Sequence, residues 1–204
     1  MLKDLGFTEL LDEIASKSPA PGGGSAAAVA GAIGCSLLCM VSNLTIGRKK
    51  YADVEPQVKE ILAEATKLRE RFASLIDEDK NAFLELFKFF KLKELTPEQE
   101  EQMKEAEARA IGVPQQVMET ALAAMKLADK LAVIGNKNAI SDVGVAIYFI
   151  RTAFKGGELN VRINLVGKDG AEKEKYISWL KPICQEFRDL KKSAKGAVTY
   201  ELGM

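Results

Sequence analysis

The chain has 204 residues, 29 basic and 29 acidic side chains, and no histidine. That length suits one domain with a sizeable core, and the zero formal charge gives no basic excess for nucleic acid or an anionic membrane surface. Without histidine there is no Ser-His-Asp triad, no Cys-His dyad and no His-ligated zinc site, so proton transfer falls to Asp, Glu, Lys, Tyr or Cys.

Residues 2–17 carry Leu5, Leu10, Leu11 and Ile14 at helical spacing and predict a short amphipathic helix. The run Pro19-Ala20-Pro21-Gly22-Gly23-Gly24-Ser25 then breaks it and feeds a new helix. No Gly-Lys-Ser/Thr follows, so this is not a Walker A loop. Glycines at a helix start can hold an anion on free N–H groups, or simply make a tight turn.

No charged residue occurs from Gly22 to Gly47. The length alone would span a membrane, but Gly, Ala, Ser and Cys make the segment weakly hydrophobic. Small residues at Ala27, Gly31, Gly34 and Ser42 predict instead a central helix that others approach closely. Cys35 and Cys39 read as small core residues within it. With Cys184 the cysteine count is odd and lacks metal-ligand spacing. With no signal-peptide pattern, this predicts reduced thiols in a cytoplasmic protein. Gly47-Arg48-Lys49-Lys50 reads as a helix C-terminus, with cations at the negative end of the dipole.

A long helix is predicted from about Val54 to Leu92, roughly 55 Å at 1.5 Å per residue. Its apolar stripe includes Leu68, Phe72, Leu75, Ile76, Phe83, Leu86 and Phe90. Asp79 falls on that stripe, whereas Asp77, Glu78 and Lys80 fall off it. A carboxylate on a core-facing seam is costly unless it is paired, solvated in a pocket or protonated. Asp79 is therefore a partly exposed residue at the edge of the stripe, a partner of an Arg or Lys on another helix, or an acid–base group of raised pKa.

Thr96-Pro97-Glu98-Gln99 has the N-cap, N1 proline and capping-box Gln of another helix start. Pro114 is expected to kink or split that helix, and Gly135-Asn136 to end it. Ser141 is a candidate N-cap for the next helix, with Asp142 as a first-turn acid and a stop near Gly156-Gly157. Leu159 to Leu165 alternates strictly and reads as a strand, although it has no partner. A last helix runs from about Ala171 to Ala194, bent at Pro182. Asn43, Asn136, Asn160 and Asn164 stand beside apolar runs and are either caps or ligand-facing groups. The expected architecture is all-α, one domain over residues 1–204, an elongated antiparallel bundle whose long helices favour a homodimer.

Five segments together resemble a known family. They are Pro19 to Ala28, Asn43 to Tyr51, Asp77 to Phe83, Gly135 to Ala146 and Leu159 to Leu165. In this order and spacing they resemble the formiminotetrahydrofolate cyclodeaminase family, which includes the C-terminal half of bifunctional formiminotransferase–cyclodeaminase. The resemblance does not extend to the formiminotransferase half, so only the second activity is expected of these residues.

The resemblance implies an all-helical homodimer with a folate site near the subunit interface, and a helical or irregular Leu159–Leu165. It implies conversion of 5-formiminotetrahydrofolate to 5,10-methenyltetrahydrofolate and ammonia, with Asp79 as acid and base. No metal or organic cofactor is implied, since tetrahydrofolate is the substrate. By motif position, Gly22, Gly23, Gly24, Ser25, Asn43, Lys49, Asn136, Asp142, Asn160 and Asn164 would bind it. The same family resembles a methenyltetrahydrofolate cyclohydrolase of one-carbon metabolism, in which water attacks instead. A non-catalytic helical dimer that binds folate remains the third reading.

Overall fold

A computed structural model describes residues 1–203. These residues form helices and turns, with no strand among them. The helices are α1 (Phe7–Ala15), α2 (Gly23–Thr45), α3 (Glu55–Phe89), α4 (Pro97–Ile134), α5 (Ile140–Asn164) and α6 (Gly170–Glu201). In the core, α2 and α4 each pack on both α3 and α5, and also meet each other. α6 lies outside, mainly against α4.

The small residues of α2 set this arrangement. A Cβ on Gly31 would lie 2.4 Å from the Phe72 ring of α3, and one on Gly34 2.8 Å from Ile150 of α5. No side chain fits at either position without moving a helix. In the most apolar 18-residue window of α2, 61% of residues are buried, as expected of a core helix. Cys35 is fully buried, and burial, reinforced by the neighbouring Cys39, pushes its thiol up to about 12. It stays an unreactive thiol at neutral pH.

Several local expectations give way to tertiary packing. Residues 159–165 are not a strand, because α5 continues to Asn164. Nor does α5 stop at Gly156-Gly157. Those glycines face neighbouring helices: a Cβ on Gly156 would meet Ala27 at 2.6 Å, and one on Gly157 would meet Met118 at 2.8 Å. They are absent side chains at close approaches rather than helix ends. α4 runs unbroken through Pro114, which is buried in the core. Ser141 is not the cap of α5; the helix starts at Ile140 out of a 3-10 turn that the Asn136 side chain caps. α6 extends to Glu201, well past Ala194.

Candidate active site

The glycine-rich loop ends where α2 begins, with Gly22 as N-cap. The group that occupies this helix start is a side chain of the protein itself. The Asp79 carboxylate, reaching over from α3, accepts a hydrogen bond from the Ser25 hydroxyl at 2.9 Å, and the Ser25 main-chain N–H also faces it. Gly24 makes the approach possible: a Cβ there would lie 2.0 Å from Asp79 Oδ1. Of the two readings of the glycines, anion site or tight turn, the first describes what they do, and the anion is Asp79.

Burial is the largest influence on Asp79 and pushes its carboxyl above the usual range, with the Ser25 hydrogen bonds opposing the rise. The Ser25 hydroxyl also lies 3.0 Å from the Ile76 carbonyl oxygen. Its single proton can therefore serve either acceptor. When Asp79 is ionised, Ser25 donates to it. When Asp79 is protonated, Ser25 can donate to Ile76 and accept from the acid. Both protonation states have a hydrogen-bonded arrangement, which suits a group that gives and takes a proton.

Asp79 opens into a cavity of about 260 Å³. Gly22, Gly23, Gly24, Asn160 and Asn164 line it, together with Pro19, Ala20, Ala82, Phe83, Ala110 and Ile163. Asp79 is the one titratable side chain among these lining residues. Asn160 donates its Nδ2 to the Gly156 carbonyl at 2.8 Å, and Asn164 donates its Nδ2 to the Ala110 carbonyl at 2.7 Å. A carbonyl oxygen needs a donor, so each amide orientation is determined and each Oδ1 is left without a protein partner. The cavity thus offers one proton-transfer group, two free acceptors and apolar walls. A larger groove of about 520 Å³ between α3 and α4 sets exposed Gln57, Glu60, Glu64 and Lys130 and half-buried Asp129 around an apolar floor, and none of its carboxyls is fully buried.

Asp77 is not the off-stripe residue that periodicity predicted. It is more buried than Asp79, at 7% exposure, and accepts the Leu2 main-chain N–H at 2.6 Å. The N-terminal segment covers it, a long-range contact that helical spacing cannot express. Asp77 ties down the N-terminus, and Glu78 pairs with Arg71 on the same helix.

The remaining residues chosen by motif lie at the other end of α2, about 30 Å from Ser25 at 1.5 Å per residue. Asn136 is buried there, donating Nδ2 to the Leu44 carbonyl at 2.9 Å and accepting the Asn138 N–H on Oδ1 at 3.1 Å. Its own N–H goes to Thr45 Oγ1 at 2.9 Å. Asn43 and Lys49 are exposed and Asp142 is half-buried. Within one chain none of these four reaches Asp79. The cavity residues missed from the sequence, above all Ala110 and Ile163, carry no polar atom to signal them. Phe83, one helical turn after Asp79, stands on the stripe already identified but turns partly into the cavity.

The fold and cavity define a class: a helical bundle with a cavity-facing carboxyl of raised pKa held at the start of its central helix. The Formiminotransferase-cyclodeaminase family model matches residues 6–181. The chain is 38% identical over 163 residues to the methenyltetrahydrofolate cyclohydrolase of Methylorubrum extorquens, covering 78% of both proteins. It is 30% identical over 190 residues to the formimidoyltransferase-cyclodeaminase of Mus musculus, covering 91% of this chain and 35% of the mouse protein. It thus spans about a third of that relative's length. The crystal structure of formiminotetrahydrofolate cyclodeaminase from Thermotoga maritima superposes with a TM-score of 0.82 at 29% identity, covering 100% of this chain and 98% of that one. The chain belongs to the formiminotransferase-cyclodeaminase family.

Proposed function

We propose that this chain is a folate-processing enzyme, and specifically a cyclodeaminase that converts 5-formiminotetrahydrofolate to 5,10-methenyltetrahydrofolate and ammonia. The observation that carries this reading is Asp79, a carboxyl of raised pKa, alone among the cavity residues in being able to move a proton. The substrate carries an amidinium carbon on N5. N10 attacks that carbon and forms the second carbon–nitrogen bond. Ionised Asp79 takes the N10 proton and passes it to the amino nitrogen, which leaves as ammonia. The methenyl cation keeps the substrate's positive charge, and Asp79 returns to its starting state. Holding N10 against the carbon in a small cavity supplies the rest of the acceleration.

Family membership alone also admits cyclohydrolase activity. The 38% identity to a protein of that name specifically favours this second reading. There Asp79 would take its proton from an attacking water. Supplying both folates to the purified protein side by side separates the two. Ammonia release with rising methenyl absorbance supports the first; loss of methenyl absorbance alone supports the second; no turnover of either defeats both.

The assembly we propose is a homodimer. α5 exposes Val145, Tyr148, Leu159 and Ile163 along one stripe, and the neighbouring α2 exposes Met40 and Leu44. Apolar patches near both ends of α5 can cover one another in a second copy related by a two-fold axis. That packing would bring one copy's Asn43, Lys49 and Asp142 towards the other's cavity. Light scattering should give twice the chain mass, and Tyr148→Glu should reduce it to one; a wild-type monomer defeats the dimer.

A further inference from the structure

At Asn164 the cavity of Asp79 adjoins a second space. Ala110, Ile163 and Asn164 also line a second hollow of about 530 Å³, so the two spaces share a wall. This hollow lies between the end of α3, α4 and the turn that joins α5 to α6. Leu86, Phe90 and Val166 give it apolar sides, with Phe90 60% and Val166 73% exposed. Lys168 lies within it, its side chain only 15% exposed, paired with Glu107 of α4 and with Glu172 of α6 at 3.3 Å.

With Asp169, the hollow sets three carboxylates against one ammonium. That balance repels an anionic glutamate tail. It favours a flat, uncharged heterocycle whose edge presents N–H donors next to a carbonyl. Glu107 has lone pairs to accept N–H groups, and an ammonium with three donors has one to spare for a carbonyl oxygen. The 2-amino-4-oxo edge of a pterin presents these groups in a row. Asn160 and Asn164 stand one turn apart, about 6 Å along α5, and Lys168 follows in the turn beyond the helix end. Asn164 stands at the junction with its Oδ1 free.

We propose that the second hollow is the pterin arm of the folate site, with Glu107 accepting from the ring N–H and amino groups and Lys168 donating to the ring carbonyl. The inference rests on the folate reading above, and adds to it an orientation: pterin towards Lys168, reacting carbon over Asp79, glutamate tail leading away.

Two fragments test it. 6-Methyltetrahydropterin and p-aminobenzoylglutamate are each used as competitive inhibitors of wild type, Glu107→Gln and Lys168→Met. Losing one charge-assisted hydrogen bond should weaken inhibition by the pterin fragment, and raise KM for the folate, by about tenfold or more. kcat at saturation and inhibition by p-aminobenzoylglutamate should change less than about twofold, since neither depends on that bond. If the pterin fragment inhibits all three proteins equally and only thermal stability falls, the cluster is a staple between helices and the proposal is overturned. If inhibition by p-aminobenzoylglutamate is lost instead, the orientation is reversed and the proposal is likewise overturned. Glu107→Gln keeps a hydrogen-bonding partner for Lys168, so it serves if Lys168→Met does not fold. If wild type turns over folate but neither fragment inhibits, the arm fails alone. If wild type neither binds nor turns over folate, the functional reading itself fails.

Discussion

The two ends of α2 both hold polar side chains against main-chain atoms, with opposite accounting. At the C-terminal end the Asn136 amide uses both its nitrogen and its oxygen, and Thr45 Oγ1 both donates to Val41 and accepts from Asn136. Tyr51 accepts the Lys137 N–H at 3.0 Å, and Lys137 pairs with Glu201 of α6. That end is a closed corner. At the N-terminal end Asp79 has only Ser25 for a donor, and Asn160 and Asn164 keep free acceptors in a cavity. A saturated network fastens helices together, whereas spare hydrogen-bonding capacity awaits a ligand. Motif position marks both ends alike; only the bond inventory separates them.

The largest effect should come from removing the titratable group at the open end. Asp79→Asn should lower kcat by about 10³-fold or more, towards the upper range for general acid–base catalysis. It should also stabilise the fold at neutral pH. Because the folded-state pKa of Asp79 is raised, the stability of its protonated form is fully present below the unfolded value of about 3.9 and lost as pH rises through the folded value. At pH 7 the ionised carboxylate is therefore a burden that Asn removes, and the melting curves of the two proteins should converge near pH 4. A more stable but inactive variant is the mark of a functional group. An equally active variant breaks the comparison outright.

Gly24→Ala comes next. Its methyl group would overlap the Asp79 carboxylate, which must shift while keeping its charge. A displacement of this kind should cost about 10²-fold in kcat. Unchanged kinetics would show that the carboxylate acts from some other position.

How much of this was legible in the sequence depends on whether local pattern and tertiary contact agreed. Asp79 was legible because four-residue steps from Leu75 and to Phe83 place it on one face whatever lies opposite. Asn160 and Asn164, chosen by motif position, line the cavity despite a wrong secondary structure. A spacing of four puts two residues on the same side of a strand and of a helix, so the pair survived the strand reading of residues 159–165. Gly156 and Gly157 were misread as a stop because a glycine looks the same in sequence whether it ends a helix or admits a neighbour, here Ala27 and Met118. Asp77 was misplaced because Leu2, seventy-five residues away, covers it. The separation of Asn136 from Asp79 was hidden because it follows from helix length and direction together, not from any single segment.

Ser25→Ala tests the electrostatics of the open end more gently. The Ser25 hydroxyl lowers the carboxyl's pKa against the effect of burial, so its loss should raise that pKa further. If ionised Asp79 is the proton acceptor, the acid limb of kcat/KM should move to higher pH. Activity on the alkaline side should then fall only about tenfold or less, since the carboxylate itself remains. A limb that stays in place would mean that it reports some other group.

The smallest effect on catalysis should come from the closed end, and it gives the comparison its sharpest test. Asn136→Ala leaves the Leu44 carbonyl and the Asn138 N–H without partners, at a cost of about 1–3 kcal/mol. For a chain of this length that lowers Tm by about 3–10 °C, measurable by calorimetry. kcat below the transition should stay within about twofold of wild type, because Asn136 is buried and both polar atoms of its side chain already bond main-chain groups. The two-fold assembly proposed above makes the opposite outcome equally readable. A kcat reduced tenfold or more, with Tm unchanged, would mean that the corner opens against a partner's cavity and that the division between a structural and a reactive end holds only for the single chain.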